Sequence, residues 1–122
     1  MLNAKAIAKV FQNGIYPGVE NIYLINKAGA LVIAAHNHES VKTLGAIVSN
    51  IWSDYESCMA NSENGESLKS MIIESGNGSI VAENVCNMFL CVQGGSDIGR
   101  LLETCKKLKE VLENPLQEAV IS

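Results

Sequence analysis

The sequence predicts an α/β domain of the α+β sandwich kind: a five-stranded antiparallel sheet with one long helix on one face and the two terminal helices on the other. Three observations carry this. Helical and strand periodicities follow one another in the order αββαβββα. Short glycine-containing turns join neighbouring strands twice, and a hairpin cannot be parallel. Only the helix between the hairpins is long enough to cross a sheet, so a run of parallel crossovers is ruled out.

Each element has its own signal. Leu2, Ala6, Ile7, Val10 and Phe11 recur at helical spacing until Asn13-Gly14 and Pro17-Gly18 break the pattern. Ile22 to Ile25 and Ala30 to Ala35 are β-rich runs around Asn26-Lys27-Ala28-Gly29, the first hairpin. From Val41 to Met59 runs the longest helix. Its apolar residues Val41, Leu44, Ile47, Val48, Ile51, Trp52, Tyr55, Cys58 and Met59 fall in an arc of about 160°, expected to face the sheet. The polar stretch Asn61 to Ser67 reads as a loop. Leu68 to Ser75 and Ser79 to Glu83 then flank Gly76-Asn77-Gly78 as a second hairpin.

Val85 to Val92 is apolar on both faces apart from Asn87 and reads as one central strand, with Cys86 and Cys91 on opposite sides. Gly94-Gly95 ends it. Ser96 or Asp97 caps a last helix striped by Ile98, Leu101, Leu102, Cys105, Leu108, Val111 and Leu112. Pro115 is expected to stop that helix and leave 115–122 as a short tail.

Nine basic and thirteen acidic side chains in 122 residues give a net charge of −4. The length makes a single domain, 1–122, large enough to bury its own core, and the 48% hydrophobic content excludes a disordered chain. An acidic balance with a single arginine argues against nucleic acid, whose phosphates require a basic stripe. No apolar run approaches the ~20 residues of a membrane span. Neither a leader nor a lipidation signal is read, so direct membrane insertion is not expected. Cys58, Cys86, Cys91 and Cys105 lie singly in apolar stretches and read as free thiols of a reducing, cytoplasmic compartment.

Chemistry-bearing motifs are weak. Gly94-Gly95-Ser96-Asp97-Ile98-Gly99-Arg100-Leu101 follows a strand and opens a helix as a phosphate loop does. It has Arg100 and Leu101 where a lysine and a hydroxyl are needed, so it reads as a turn and a cap. His36 and His38 share a face if extended, but two imidazoles lack a third metal ligand. Asn64-Gly65-Glu66 lacks the aspartate-rich opening of a calcium loop. No catalytic residue, cofactor or metal is expected, and the chain is not read as an enzyme.

The back of the long helix is more informative. Ala46, Ser49, Asn50, Ser53 and Ser57 form a narrow stripe of small uncharged residues, where a solvated helix usually shows Lys and Glu. Such a stripe lets another helix approach without desolvating a charge. Met71 and Ile73, on one face of a strand suited to a sheet edge, extend the surface. These seven residues are the candidate protein interface. On this reading, a lysine at Ser49 or Ser53 breaks pairing and leaves the monomer folded.

Several short stretches in register carry a resemblance over essentially the whole chain. They are Met1-Leu2 with Lys5-Ala6, Leu24-Ile25-Asn26 with Gly29, and Ser49-Asn50-Ile51-Trp52 followed by Tyr55. Val85 to Asn87 with Leu90-Cys91, and Leu112-Glu113 with Pro115-Leu116 down to Ser122, complete them. The chain resembles the roadblock family, in particular the roadblock subunits of the Lamtor, or Ragulator, complex. The resemblance implies a non-catalytic scaffold that forms a heterodimer with a second roadblock subunit through the long helix and the strand after it. It implies a lipidated tethering subunit wrapping that pair, and Rag GTPases recruited through the assembled complex. It further implies TOR and MAP-kinase signalling scaffolded on the cytosolic face of late endosomes and lysosomes, with any guanine-nucleotide exchange a property of the assembly. Two other readings stay open: a roadblock homodimer of dynein light-chain or small-GTPase-regulator type, and a small-molecule sensor domain.

Overall fold

Helices and strands follow one another as α1 (Ala4–Asn13), β1 (Val19–Asn26), β2 (Leu31–Ala34), α2 (Glu39–Ala60), β3 (Ser70–Ser75), β4 (Gly78–Val85), β5 (Met88–Gly94) and α3 (Ile98–Ile121). The computed structural model describes residues 4–60, 68–95 and 97–121. Leu2 of the expected first helix, the stretch 61–67 expected as a loop, with Asn64-Gly65-Glu66, and Ser96 lie outside the described residues.

The sheet runs β2-β1-β5-β4-β3, with every neighbouring pair antiparallel. β2 and β3 follow one another in sequence but occupy opposite edges, so α2 crosses all the strands between them. Five strands at about 4.8 Å spacing span roughly 19 Å. The 22 residues of α2 reach about 33 Å, a length that a diagonal crossing accounts for.

Period-two alternation divides the core into two layers. Ile22, Leu24, Val81, Leu90 and Val92 point towards α1 and α3, against Ile7, Phe11, Leu101, Cys105, Leu108 and Leu112. Tyr23, Ile25, Ile80, Ala82, Phe89 and Cys91 point the other way, against Val41, Val48 and Trp52 of α2. β1 and β5 are therefore covered on both faces, which is why they carry the most continuous apolar runs. The expected fold class, with the long helix on one face and the terminal helices on the other, is the observed one.

Two boundaries differ from expectation. Val85–Val92 is not one strand: Val85 of β4 pairs directly with Met88 of β5. Cys86 and Asn87 between them stand at φ 48° and 66°. Two left-handed central residues make the tight turn whose twist suits a hairpin. Asparagine tolerates that conformation, whereas cysteine does not advertise it. Cys86 thus sits in a turn and not on a sheet face. The other difference lies at Pro115, where α3 continues to Ile121; residues 115–121 are helical and not a tail. A proline inside a helix removes one N–H and crowds the carbonyl four residues back, at a cost of about 3 kcal/mol, without having to end it.

At the other end of α3, the Asp97 carboxylate caps the helix by accepting from the Arg100 N–H at 3.1 Å. Gly94, where β5 passes the α1–β1 loop, has no room for a side chain. A Cβ there lies 2.1 Å from the Gly18 carbonyl oxygen and 2.7 Å from Leu101 Cδ2. Gly94→Ala is expected to destabilise the domain by on the order of 2–3 kcal/mol in urea unfolding. Gly95→Ala, whose Cβ meets nothing within 4 Å, stays within about 1 kcal/mol of the parent.

Candidate protein-interaction face

Small groups seat α2 on the sheet. A Cβ on Gly45 would lie 3.1 Å from Ile25 Cγ2 and 3.2 Å from the Gly29 carbonyl oxygen. Gly29 stands at φ +90° in the β1–β2 turn, and a Cβ on it would lie 3.1 Å from Ser49 Cβ and 3.3 Å from Ala46 Cα. The helix backbone and the turn therefore touch. The Ser49 hydroxyl completes the seat by donating to the Lys27 carbonyl at 2.7 Å. One turn on, Trp52 packs on Phe89 with ring centroids 4.4 Å apart, and its indole N–H donates to Glu56 Oε1 at 2.6 Å. The Lys27 ammonium lies 4.5 Å from the Phe89 ring centroid, a cation–π contact that latches the turn onto this pair.

These contacts set how far α2 is rotated about its axis. Its buried residues are Val41, Gly45, Val48, Ser49 and Trp52, an arc of about 100° whose centre is turned roughly 80° from that of the apolar arc in the sequence. Ser49, at 6% exposure, belongs to the interior of this chain and is not available to a partner; this corrects its place in the candidate interface. Ala46, Asn50, Ser53 and Ser57 are exposed. Ile47, Ile51 and Tyr55, expected in the core, are turned outward at 40%, 42% and 42% exposure. They were missed because periodicity alone does not say which edge of an apolar arc is covered. The available signal was Gly45, a residue that a helix bears where something comes close.

Among the described residues, the neighbouring sheet edge, β3, has no strand on its outer side. β3 pairs with β4 through six successive residues without a shift, and it carries no proline or bulge on its free side. Met71 and Ile73 face α2 and pack against its core layer, while Ile72 faces the other way, exposed. The opposite edge, β2, has four residues. There Leu24 pairs with Ile33 and Ile25 with Leu31, so Val32 is an extra, bulged residue that spoils the ladder for an incoming strand.

The other candidates are brought together with nothing reactive. The His36 and His38 rings are 6.2 Å apart in an exposed loop; among the described residues no group of three His, Cys, Asp or Glu could hold a metal. Arg100 turns back to the α1–β1 loop, donating from Nη1 to the Pro17 carbonyl at 2.7 Å and lying over the Tyr16 ring. Cys58 is exposed, Cys86 partly buried, and Cys91 and Cys105 buried, all as free thiols. Burial pushes the Cys91 thiol up, and burial followed by the nearby Glu83 carboxylate pushes Cys105 up. The Tyr23 phenol is raised by burial and then by Cys91, and its hydroxyl has no hydrogen-bond partner among the described residues. No described helix is long and apolar enough to cross a membrane.

Compared with known proteins, residues 14–94, more than half of the chain, match the Roadblock/LC7 domain. The chain belongs to that family. Among solved structures it is similar to a Roadblock/LC7 domain from Streptomyces avermitilis, with a TM-score of 0.71 and 14% identity over 93% of this chain and 94% of that one. It is also similar to the gliding protein MglB of Thermus thermophilus (TM-score 0.76, 12% identity, 94% and 91% covered). An MglB with a tetrameric arrangement gives a TM-score of 0.77 at 13% identity, with 95% and 91% covered. At these identities the likeness is one of fold.

Two outcomes follow from this geometry. Ser49→Lys drives an ammonium into the seam between α2 and the β1–β2 turn and is expected to cost the monomer on the order of 3 kcal/mol or more. Ser53→Lys, at an exposed position, leaves urea unfolding followed by circular dichroism unchanged within about 0.5 kcal/mol. Cys91, Cys105 and Tyr23 ionise more readily unfolded than folded, so their contribution is complete below the ordinary thiol value of about 8.5. Stability is expected to be flat from pH 6 to 8 and to fall as pH rises through about 10, which thermal melts across that range test.

Proposed function

We propose that this Roadblock/LC7 domain is a non-catalytic scaffold subunit of a Ragulator-type complex, resembling its second subunit, and that it pairs with another roadblock subunit through α2 and β3. Wrapped by a lipidated tether on the cytosolic face of late endosomes and lysosomes, the pair recruits Rag GTPases and scaffolds TOR and MAP-kinase signalling. The observation that carries the reading is the outward apolar row of α2 lying beside the open β3 edge.

Ile47, Ile51 and Tyr55 are spaced four apart, so they form a single ridge on the helix. Covering such a ridge yields about 25 cal/mol for each Å² of apolar surface removed from water. An edge strand alongside offers unpaired N–H and C=O groups to a second edge. Two subunits joined this way continue one sheet into another and set their long helices side by side across it. Function then resides in where the assembly holds its partners, with no bond made or broken by this chain.

The test is capture. The tagged chain, expressed in its own cells, is expected to co-purify with a roadblock-domain subunit identifiable by mass spectrometry. Ile51→Lys, a charge in the middle of the ridge, lowers that capture about tenfold or more while circular dichroism matches the parent. Equal capture by the variant removes the α2 ridge from the interface.

A further inference from the structure

Away from α2, the β3–β4 turn and the start of α3 enclose a pocket of about 310 Å³. Glu74, Gly76, Asn77, Ser79, Gly95 and Ile98 line it, and among the described residues no basic side chain does. The pocket lies on the α3 side of the sheet. Ile73 and Ile80 face α2, so their neighbours Glu74 and Ser79 face the other way. Glu74 and Ser79 are direct partners across the β3–β4 ladder, which sets their Cβ atoms about 5 Å apart on that face.

Neither of these two side chains has a polar partner. Ser79 is 6% exposed, yet its hydroxyl makes no hydrogen bond among the described residues. A buried hydroxyl left unpaired is costly, and this one lines the pocket. The Glu74 carboxylate enters no ion pair among the described residues. The charges of the Gly94–Leu101 motif are, by contrast, engaged. A helix N-terminus carries about half a positive charge, and at α3 the Asp97 carboxylate meets it as the cap. Arg100 reaches away to the Pro17 carbonyl. A full negative charge at Glu74 outweighs what remains of the helix end, so the pocket favours a cation over an anion.

We propose that this pocket binds a primary ammonium on an aliphatic stem, carried by a lysine side chain of a partner protein or by a free alkylamine. Three N–H donors on one nitrogen reach a carboxylate and a hydroxyl on neighbouring strands at once, whereas the planar fork of a guanidinium is matched to a carboxylate alone. The methylenes of the stem lie on Ile98 and on the backbone of Gly76 and Gly95, where a Cβ would meet nothing within 4 Å. The site is on the opposite face of the sheet from α2 and stands independently of what covers that helix.

The test is a proton–nitrogen NMR titration of the full chain with n-pentylamine and with lysine blocked at its α-amino and carboxyl groups. Saturable shifts are expected at the Gly76, Gly95 and Ile98 amides with an amine. Pentanol, which has the stem without the charge, is expected to give none there. Glu74→Gln weakens binding about tenfold, and Ser79→Ala about threefold or more. Ser79→Ala leaves the melting temperature unchanged or raised, because its hydroxyl has no partner to lose; a ligand contact is thereby separated from a structural one. Tighter binding of the blocked lysine identifies a partner's lysine as the source, and tighter binding of pentylamine a free amine; either upholds the site. The inference is overturned by the absence of saturable shifts at these amides with both amines, or by equal affinity in Glu74→Gln. Shifts produced there by inorganic phosphate in place of the amines overturn it as well.

Discussion

The rest of this molecule depends on a close approach between the α2 backbone and the β1–β2 turn. Gly45 and Gly29 leave no side chain between them, and the Ser49 hydroxyl spans what remains to the Lys27 carbonyl. A helix held by three small groups cannot rotate to suit its apolar residues. Burying Ile47, Ile51 and Tyr55 would swing Gly45 and Ser49 off the turn and leave the Lys27 carbonyl without the serine. With each of those side chains still about 40% exposed, the monomer forgoes on the order of 1 kcal/mol apiece, roughly 2–4 kcal/mol in all. That is a large fraction of the 5–15 kcal/mol separating folded from unfolded domains, and it is recoverable only when another surface covers the row.

The two faces of the sheet consequently do different work. Towards α1 and α3 the core is deep, and its edge is closed by the Arg100 guanidinium on the Pro17 carbonyl and by the Tyr16 and Thr104 hydroxyls, which are hydrogen-bonded to each other. Towards α2 the core is thinner and built around Trp52 and Phe89, with the outer flank of the helix left bare. One side supplies a rigid frame, and the other presents what the frame is for.

Element order, the two hairpins and the sidedness of the helices were legible in the sequence because each depends on local period and turn chemistry, whereas the pairing of β1 with β5 joins residues some seventy positions apart and left no local signal. Asp97 as a cap and Gly29 in the first hairpin turn were legible for the same reason. The rotation of α2 was not. The apolar arc and the small-residue stripe are both visible along residues 41–59, but which flank is covered depends on Gly29, some twenty residues away from the helix centre. The turn at Cys86 and Asn87 was hidden because a buried-looking run with one asparagine resembles a central strand more than two strands. Pro115 misled in the opposite direction, since a proline lowers the stability of a helix more surely than it ends one. Seven residues were read as one interface; Ser49 lies within the monomer, and Met71 and Ile73 lie beside a row that the sequence had assigned to the core.

The bulge at Val32 has a consequence for stoichiometry. A sheet with two regular open edges can add strands at both and grow into a filament. Here one edge is short and kinked by an extra residue, and the other is regular. A pairing through β3 would consume the usable edge of both participants, so growth along the sheet would end at two domains. Anything larger has to be assembled on the helical faces, where the number of binding sites is finite and each is different from the next. In an assembly built on β3, the single inserted valine on the opposite outer strand would act as a chain terminator.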